Sequence, residues 1–267
     1  AGTGTQVSAS GASLVHMPRA QRHSRQPRAL SIKKENAGSL EGLECVPLPQ
    51  DAEAIEGVLV DVHAAGLNFR DVLNVLGKDP TGTLRPIGGE FAGVTQLDGH
   101  RTYGLASGSC ASVVLATSGR CARLPRRISF EEAVTLPIVW VTASYAAGDS
   151  RIHAGQRAIL PSAAGGVGLV SVELLHWLSV RVHASAGRPF KHALLRACGL
   201  RCLGSSRSAP AVAASAGSLL GHRSDAVYNA LSDDHIPLTL AELNEAGTLS
   251  EIGKLAVWSS VRVAAAC

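Results

Sequence analysis

The residues best suited to do chemistry are Ala163-Ala164-Gly165-Gly166-Val167-Gly168. They form a variant of the dinucleotide fingerprint, with Ala163 in the first glycine position. Gly165 would let the main chain approach a pyrophosphate, and Gly168 would let the following helix pack closely on the preceding strand. The free amides and positive dipole end of that helix would then face the anion. Taken alone, the string also suits any tight Gly-rich turn. Its context favours cofactor binding: apolar Ala158-Ile159-Leu160 precedes it, and an apolar run continues to about Leu178. About twenty residues beyond the turn, an NAD site usually has a carboxylate for the ribose hydroxyls. Here the stretch is His183-Ala184-Ser185-Ala186-Gly187-Arg188, with Lys191 close behind. Ser185 with Arg188 or Lys191 would bind a 2′-phosphate, which favours NADPH over NADH. Otherwise Arg188 and Lys191 are solvated charges at a helix start.

The elements that must position this turn follow an alternating rhythm. Strands are expected at 158–160, 180–184, 226–230 and 248–252, with helices at 167–178, 190–197 and 237–243 between them. That alternation predicts a parallel sheet covered on both faces. The preceding region differs. Val58, Val60 and Val62 alternate as in a strand, and further short strands are expected at Phe91–Leu97 and Ala111–Ala116. Asp98-Gly99 suits a two-residue hairpin, because glycine tolerates positive φ. Ser129-Phe130-Glu131-Glu132 is a capping box opening a helix, and Pro137 starts a second one running through Ala147. A β-rich lobe at 45–137 and an α/β nucleotide-binding lobe at 138–254 result. Residues 1–44, rich in Ser, Gly, Arg and Lys, read as a linker or the stub of a preceding module, and 255–267 as a tail.

Composition sets the outer bounds. With 267 residues, 46% of them apolar, the chain can bury a sizeable core and is not largely disordered. A net charge of +4, and basic residues at 19–34 with no aromatic among them, give no reason to expect nucleic acid. No apolar stretch is long enough for a membrane span. The six cysteines are too sparse for a secreted disulfide scaffold and lack zinc-finger spacing, so they read as free thiols in a reducing, cytoplasmic setting.

The order of motifs then points to a family. Ala64-Ala65-Gly66-Leu67-Asn68-Phe69-Arg70-Asp71-Val72-Leu73 resembles the substrate-lobe motif of the enoyl reductase domains of modular polyketide synthases and animal fatty acid synthase. Gly88-Gly89-Glu90-Phe91-Ala92-Gly93, Thr135–Ala143, the Gly-rich turn, Ser205–Ser208, Asn229–Ser232 and Glu251–Lys254 follow in the same order. The resemblance covers roughly residues 38–254. It implies a medium-chain reductase: a GroES-like substrate lobe joined to a Rossmann lobe, C-terminally truncated relative to the family. Zinc-dependent relatives carry Gly-His-Glu where Gly88-Gly89-Glu90 stands, so no metal is expected.

The implied reaction is hydride addition from NADPH to the β-carbon of a carrier-bound α,β-enoyl thioester, followed by protonation at the α-carbon. Lys254 matches a candidate proton donor, though locally it is only a lysine after an apolar strand. Asn68 is the second catalytic candidate. It matches a position lining the nicotinamide and enoyl pocket, as do Thr142 and Asn229; each would otherwise be a satisfied turn residue. Lys191 and Arg207 would face the 2′-phosphate and adenosine side. Neighbouring synthase domains are the implied partners, and a homodimer is compatible. Many polyketide members have a tyrosine linked to protonation where Asp79 stands here. Two alternatives remain: a stand-alone quinone-type oxidoreductase, and a non-catalytic module of a synthase.

Overall fold

The computed structural model describes residues 26–32, 38–48, 57–79, 81–201, 203–220, 223–231, 235–253, 258–259 and 261–262. The chain divides into two compact units, Ala1–Ile138 and Val139–Cys267. Among the described residues no helix is long and apolar enough to cross a membrane. The described cysteines, Cys45, Cys110, Cys121 and Cys198, are free thiols.

In the first unit, β1 (Arg28–Ile32) pairs antiparallel with β2 (Leu43–Pro47). Residues 28–32 therefore depart from the linker expected over 1–44. The reason is non-local: Leu30 N–H donates to the Cys110 carbonyl and Ser112 N–H to that of Arg28, both at 2.8 Å. Next come β3 (Val58–Gly66), the short helix α1 (Phe69–Val75), β4 (Glu90–Thr95), β5 (Arg101–Leu105), β6 (Val113–Ala116) and β7 (Cys121–Arg123). They form an antiparallel sheet in the order β6-β3-β4-β5-β7. Val60, Phe91, Val114 and Ala116 make its core beneath β3 and β4.

The hairpin expected at Asp98-Gly99 differs from the observed one. It joins β4 to β5, an element without strong alternation, through a loop over 96–100 rather than a two-residue turn. Gly99 has positive φ as expected, while Thr95 Oγ accepts the His100 N–H at 2.8 Å and closes the longer loop. The capping box opens α2 (Phe130–Ala133): Glu132 N–H donates to Ser129 Oγ at 3.0 Å and Ser129 N–H to the Glu132 carboxylate at 2.8 Å.

Helix α3 (Pro137–Ser150) begins at Pro137 as expected. The second unit then runs β8 (Arg157–Leu160), α4 (Gly166–Trp177), β9 (Arg181–Ala186), α5 (Pro189–Ala197), β10 (Leu203–Ser205), α6 (Ala209–Leu220), β11 (Ser224–Asn229), α7 (His235–Ala241) and β12 (Leu243–Glu251). Its five strands are all parallel, in the order β10-β9-β8-β11-β12. The direction of winding reverses between β8 and β11, the place where open α/β sheets bind ligands beyond their strand ends. Apolar residues of β8, β9 and α4, among them Leu160, Val172, Leu175, Val182 and Ala184, fill the core. Elements β10 and α6 add to the expected set, and β12 begins five residues earlier than expected.

Candidate functional site

In the second unit, β8 ends at Leu160 and α4 starts at Gly166, so the Gly-rich turn lies at the C-terminal end of the first strand of the sheet. Two of its glycines meet different demands. A Cβ on Gly168 would lie 2.5 Å from the Ala163 carbonyl oxygen, so helix and turn touch in a way only glycine allows. A Cβ on Gly165 would meet only the Ser162 oxygen at 3.9 Å. Gly165 is the N-cap of α4, with extended backbone (φ −92°, ψ 173°). Gly166 and Val167 form the first turn of α4 and Ala164 precedes the cap, all half-buried. The cradle thus offers open main chain at a helix N-terminus, which fits a pyrophosphate.

The end of β9 supplies the second part. A cavity of about 520 Å³ is lined by Ala186, Gly187, Arg188, Pro189, His192, Arg196, Ser205 and Arg207. Three arginines on one open cavity favour a multiply charged anion, because guanidinium groups bind phosphate oxygens in a fixed fork. The Arg207 side chain is tied to the Gly187 carbonyl, and the His192 ring to the Ala186 carbonyl at 2.6 Å. Of the residues expected here, Arg207 lines the cavity. Lys191 lies in the first turn of α5 and is not among the lining residues, whereas Arg188, His192 and Arg196 are. Ser185 departs from its expected role as a phosphate ligand. It is fully buried and donates its hydroxyl to the Pro161 carbonyl, so it anchors the Gly-rich turn from beneath.

Asn229 is likewise turned to structural use at the end of β11. Its buried amide nitrogen donates to the Leu231 carbonyl at 2.6 Å and to Glu251 Oε2 at 2.8 Å, while Glu251 Oε1 accepts the Gly253 N–H at 2.7 Å. These bonds join the ends of β11 and β12. Thr142 is half-buried on α3. Lys254 lies outside the described residues.

The first unit holds a separate polar cluster. Asn68 caps α1, and its backbone N–H donates to Asp71 Oδ2 at 2.9 Å. Its side-chain nitrogen donates to Glu90 Oε1 at 2.8 Å, and Glu90 Oε2 accepts the Ile138 N–H, also at 2.8 Å. Glu90 is only 3% exposed, and burial pushes its carboxyl above the usual range against the pull of those two bonds. Gly66 makes the room, since a Cβ there would lie 2.4 Å from Glu90 Oε1. Asp71 also accepts the Gly88 N–H at 2.9 Å, and burial, with the nearby Asp71 charge, pushes the Cys110 thiol up to about 12. Glu90 and Asp71 are absent from the residues expected at the site. The available signal was their place within the Gly88-Gly89-Glu90 and Asn68–Leu73 strings.

Asp79, where a tyrosine was expected in relatives, accepts the Thr81 N–H at 2.9 Å and the Thr81 hydroxyl, with Arg70 Nε 3.5 Å away. Those Thr81 bonds, with Arg70 beside them, hold its carboxyl below the ordinary range.

Comparison with known proteins adds a consistent picture, although no family model matches the chain. The chain is 35% identical over 256 residues to the pikromycin polyketide synthase component PikAII of Streptomyces venezuelae; that match takes in 90% of the chain but only 7% of the synthase's length. Among solved structures, the CurK enoyl reductase superposes with a TM-score of 0.83 at 29% identity, over 91% of this chain and 78% of that one. A quinone oxidoreductase from Thermus thermophilus, solved also in complex with NADPH, gives a TM-score of 0.72 at 30% identity, over 88% and 76% of the respective chains.

Proposed function

The chain belongs to the quinone-oxidoreductase-like medium-chain dehydrogenase/reductases that include the enoyl reductase domains of type I polyketide synthases, and we propose that it is an NADPH-dependent reductase of carrier-bound α,β-enoyl thioesters. The observation that carries this reading is the pairing of an open glycine cradle at the start of α4 with an arginine-lined cavity at the end of β9. Residues 164–168 would hold the pyrophosphate, and Arg188, Arg196 and Arg207 the 2′-phosphate side, with Lys191 adding positive charge nearby. Bound there, NADPH would supply a hydride to the β-carbon of the substrate.

The protein's own tasks are then to orient the enoyl group, keep its carbonyl polarised and deliver a proton to the α-carbon. Asn68 is the candidate for the first of these, through its side-chain amide. Asp79 has no proton to offer at neutral pH, because its carboxylate is held ionised by Thr81 and Arg70. Lys254, which is a proton donor by its chemistry, is therefore the group proposed to protonate the α-carbon. Neighbouring synthase domains would present the substrate as a thioester on a carrier.

The test measures NADPH consumption by the chain, or by the longer protein containing it, with an enoyl thioester and with a free quinone. Turnover of the thioester supports the proposal. Robust quinone turnover with none of the thioester would replace it with a stand-alone quinone reductase, the alternative that the Thermus likeness motivates.

A further inference from the structure

We propose that Glu90 is the positioning residue of Asn68, locking its carboxamide in one of its two flip states. The inference rests on the enoyl reductase reading for what the carboxamide does, and on geometry for how it is held. A carboxamide has two nearly isosteric ends, one donor and one acceptor, so its orientation is decided by its neighbours. Here the neighbour is a carboxylate that faces two N–H donors, one from Asn68 Nδ2 and one from the Ile138 backbone, each at 2.8 Å. Being an acceptor on both oxygens, it keeps the nitrogen end of Asn68 turned toward itself. The second N–H of that nitrogen is the donor left for a substrate carbonyl. A donor fixed before the substrate arrives stabilises developing negative charge without reorganisation. The surroundings reinforce the lock: the absence of a side chain on Gly66 gives the carboxylate the space it occupies against Asn68, and Ser109 Oγ holds the Glu90 backbone carbonyl at 2.8 Å.

Glu90→Gln tests this directly, because glutamine has the same shape but one donor end. It satisfies the Ile138 N–H and Asn68 together only if the Asn68 amide flips and offers Oδ1 to Gln Nε2. The first readout is the side-chain amide proton pair of Asn68 in ¹⁵N-labelled protein, identified by its absence in Asn68→Ala. In the wild type, one proton of the pair resonates downfield and exchanges slowly; in Glu90→Gln that signature is lost. An unchanged pair in Glu90→Gln overturns the proposal.

The second readout is a double-mutant cycle on enoyl thioester reduction. Glu90→Gln lowers kcat on the order of tenfold to a hundredfold, with KM for NADPH within about twofold. In the Asn68→Ala background the same substitution costs less than about threefold. Equal losses in both backgrounds would mean that Glu90 acts other than through Asn68. A wild-type chain that binds NADPH but reduces no thioester would instead overturn the functional reading, while the amide resonances still decide the role of Glu90.

Discussion

Two glycines of one turn can be told apart by what an added methyl group would meet. At Gly168 a Cβ would sit 2.5 Å from the Ala163 carbonyl oxygen and 2.6 Å from its Cα, where ordinary contact begins near 3.4 Å. Gly168→Ala therefore forces α4 away from the turn by about 1 Å, an overpacking that costs about 1–3 kcal/mol of stability. At Gly165 the methyl meets nothing closer than 3.9 Å, and the backbone is one any residue adopts. Gly165→Ala should thus leave stability unchanged or raise it by about 0.4–1 kcal/mol, because alanine restricts the unfolded chain. If a pyrophosphate lies against that backbone, however, the same methyl stands in its path. An overlap worth about 1.4–2.8 kcal/mol raises the Kd for NADPH about tenfold to a hundredfold. Urea unfolding of both variants, with NADPH fluorescence titration of each, separates the two roles. Wild-type affinity in Gly165→Ala would refute the cradle, and wild-type stability in Gly168→Ala would refute the packing argument.

Other expectations follow from the same geometry. Arg188→Glu reverses a charge on the cavity at the end of β9, so NADPH affinity falls by about tenfold or more while NADH affinity stays within about twofold; equal losses for both coenzymes would remove the phosphate assignment. Lys254→Gln slows thioester reduction by on the order of 10²-fold or more with NADPH affinity retained, and single-turnover rates that do not change would show that another group gives the proton. His183 is fully buried in β9 with neither ring nitrogen hydrogen-bonded, and burial lowers its pKa from 6.5 to about 4. Above pH 6.5 it is neutral in both states; as pH falls toward 4 the unfolded chain takes up a proton that the folded chain refuses, and about 3 kcal/mol of stability is lost. His183→Leu removes that part of the acid dependence, and parallel stability–pH curves for wild type and variant would contradict it.

What the sequence made legible was the rhythm of the second unit, because short, mostly apolar strands alternating with amphipathic or apolar helices leave a recognisable trace. Elements held by tertiary contacts left little trace. Helix α6, which reads Ala-Pro-Ala-Val-Ala-Ala-Ser-Ala-Gly-Ser-Leu-Leu, has no charged residue and no strong polar face to set against an apolar one. Strand β5 reads Arg-Thr-Tyr-Gly-Leu, and its place between β4 and β7 is visible only once those strands are present. Strand β1 depends on backbone bonds to Cys110 and Ser112, some eighty residues away in sequence. Conversely, the capping box at Ser129 and the helix start at Pro137 are local devices, and local chemistry sufficed to place them.

The candidate site shows the same division at the level of single atoms. Residue types and motif order marked Asn68, Ser185 and Asn229 as polar positions near the chemistry, but not where their hydrogen-bonding capacity goes. A short polar side chain that folding takes out of water, wholly as at Ser185 and Asn229 or in part as at Asn68, must find a partner, since leaving it unpaired costs about 1–3 kcal/mol when buried. Asn68 bonds Glu90, 22 residues on; Ser185 bonds Pro161, 24 residues back; Asn229 bonds Glu251, 22 residues on. Each partnership joins neighbouring chain segments that meet only in the folded sheet. Each of these side chains therefore fixes backbone or orientation locally, within its own unit. On the proposed reading, ligand contact would fall to open main chain at Gly165, to the arginines beyond β9, and to whichever end of the Asn68 amide its buried partner leaves exposed.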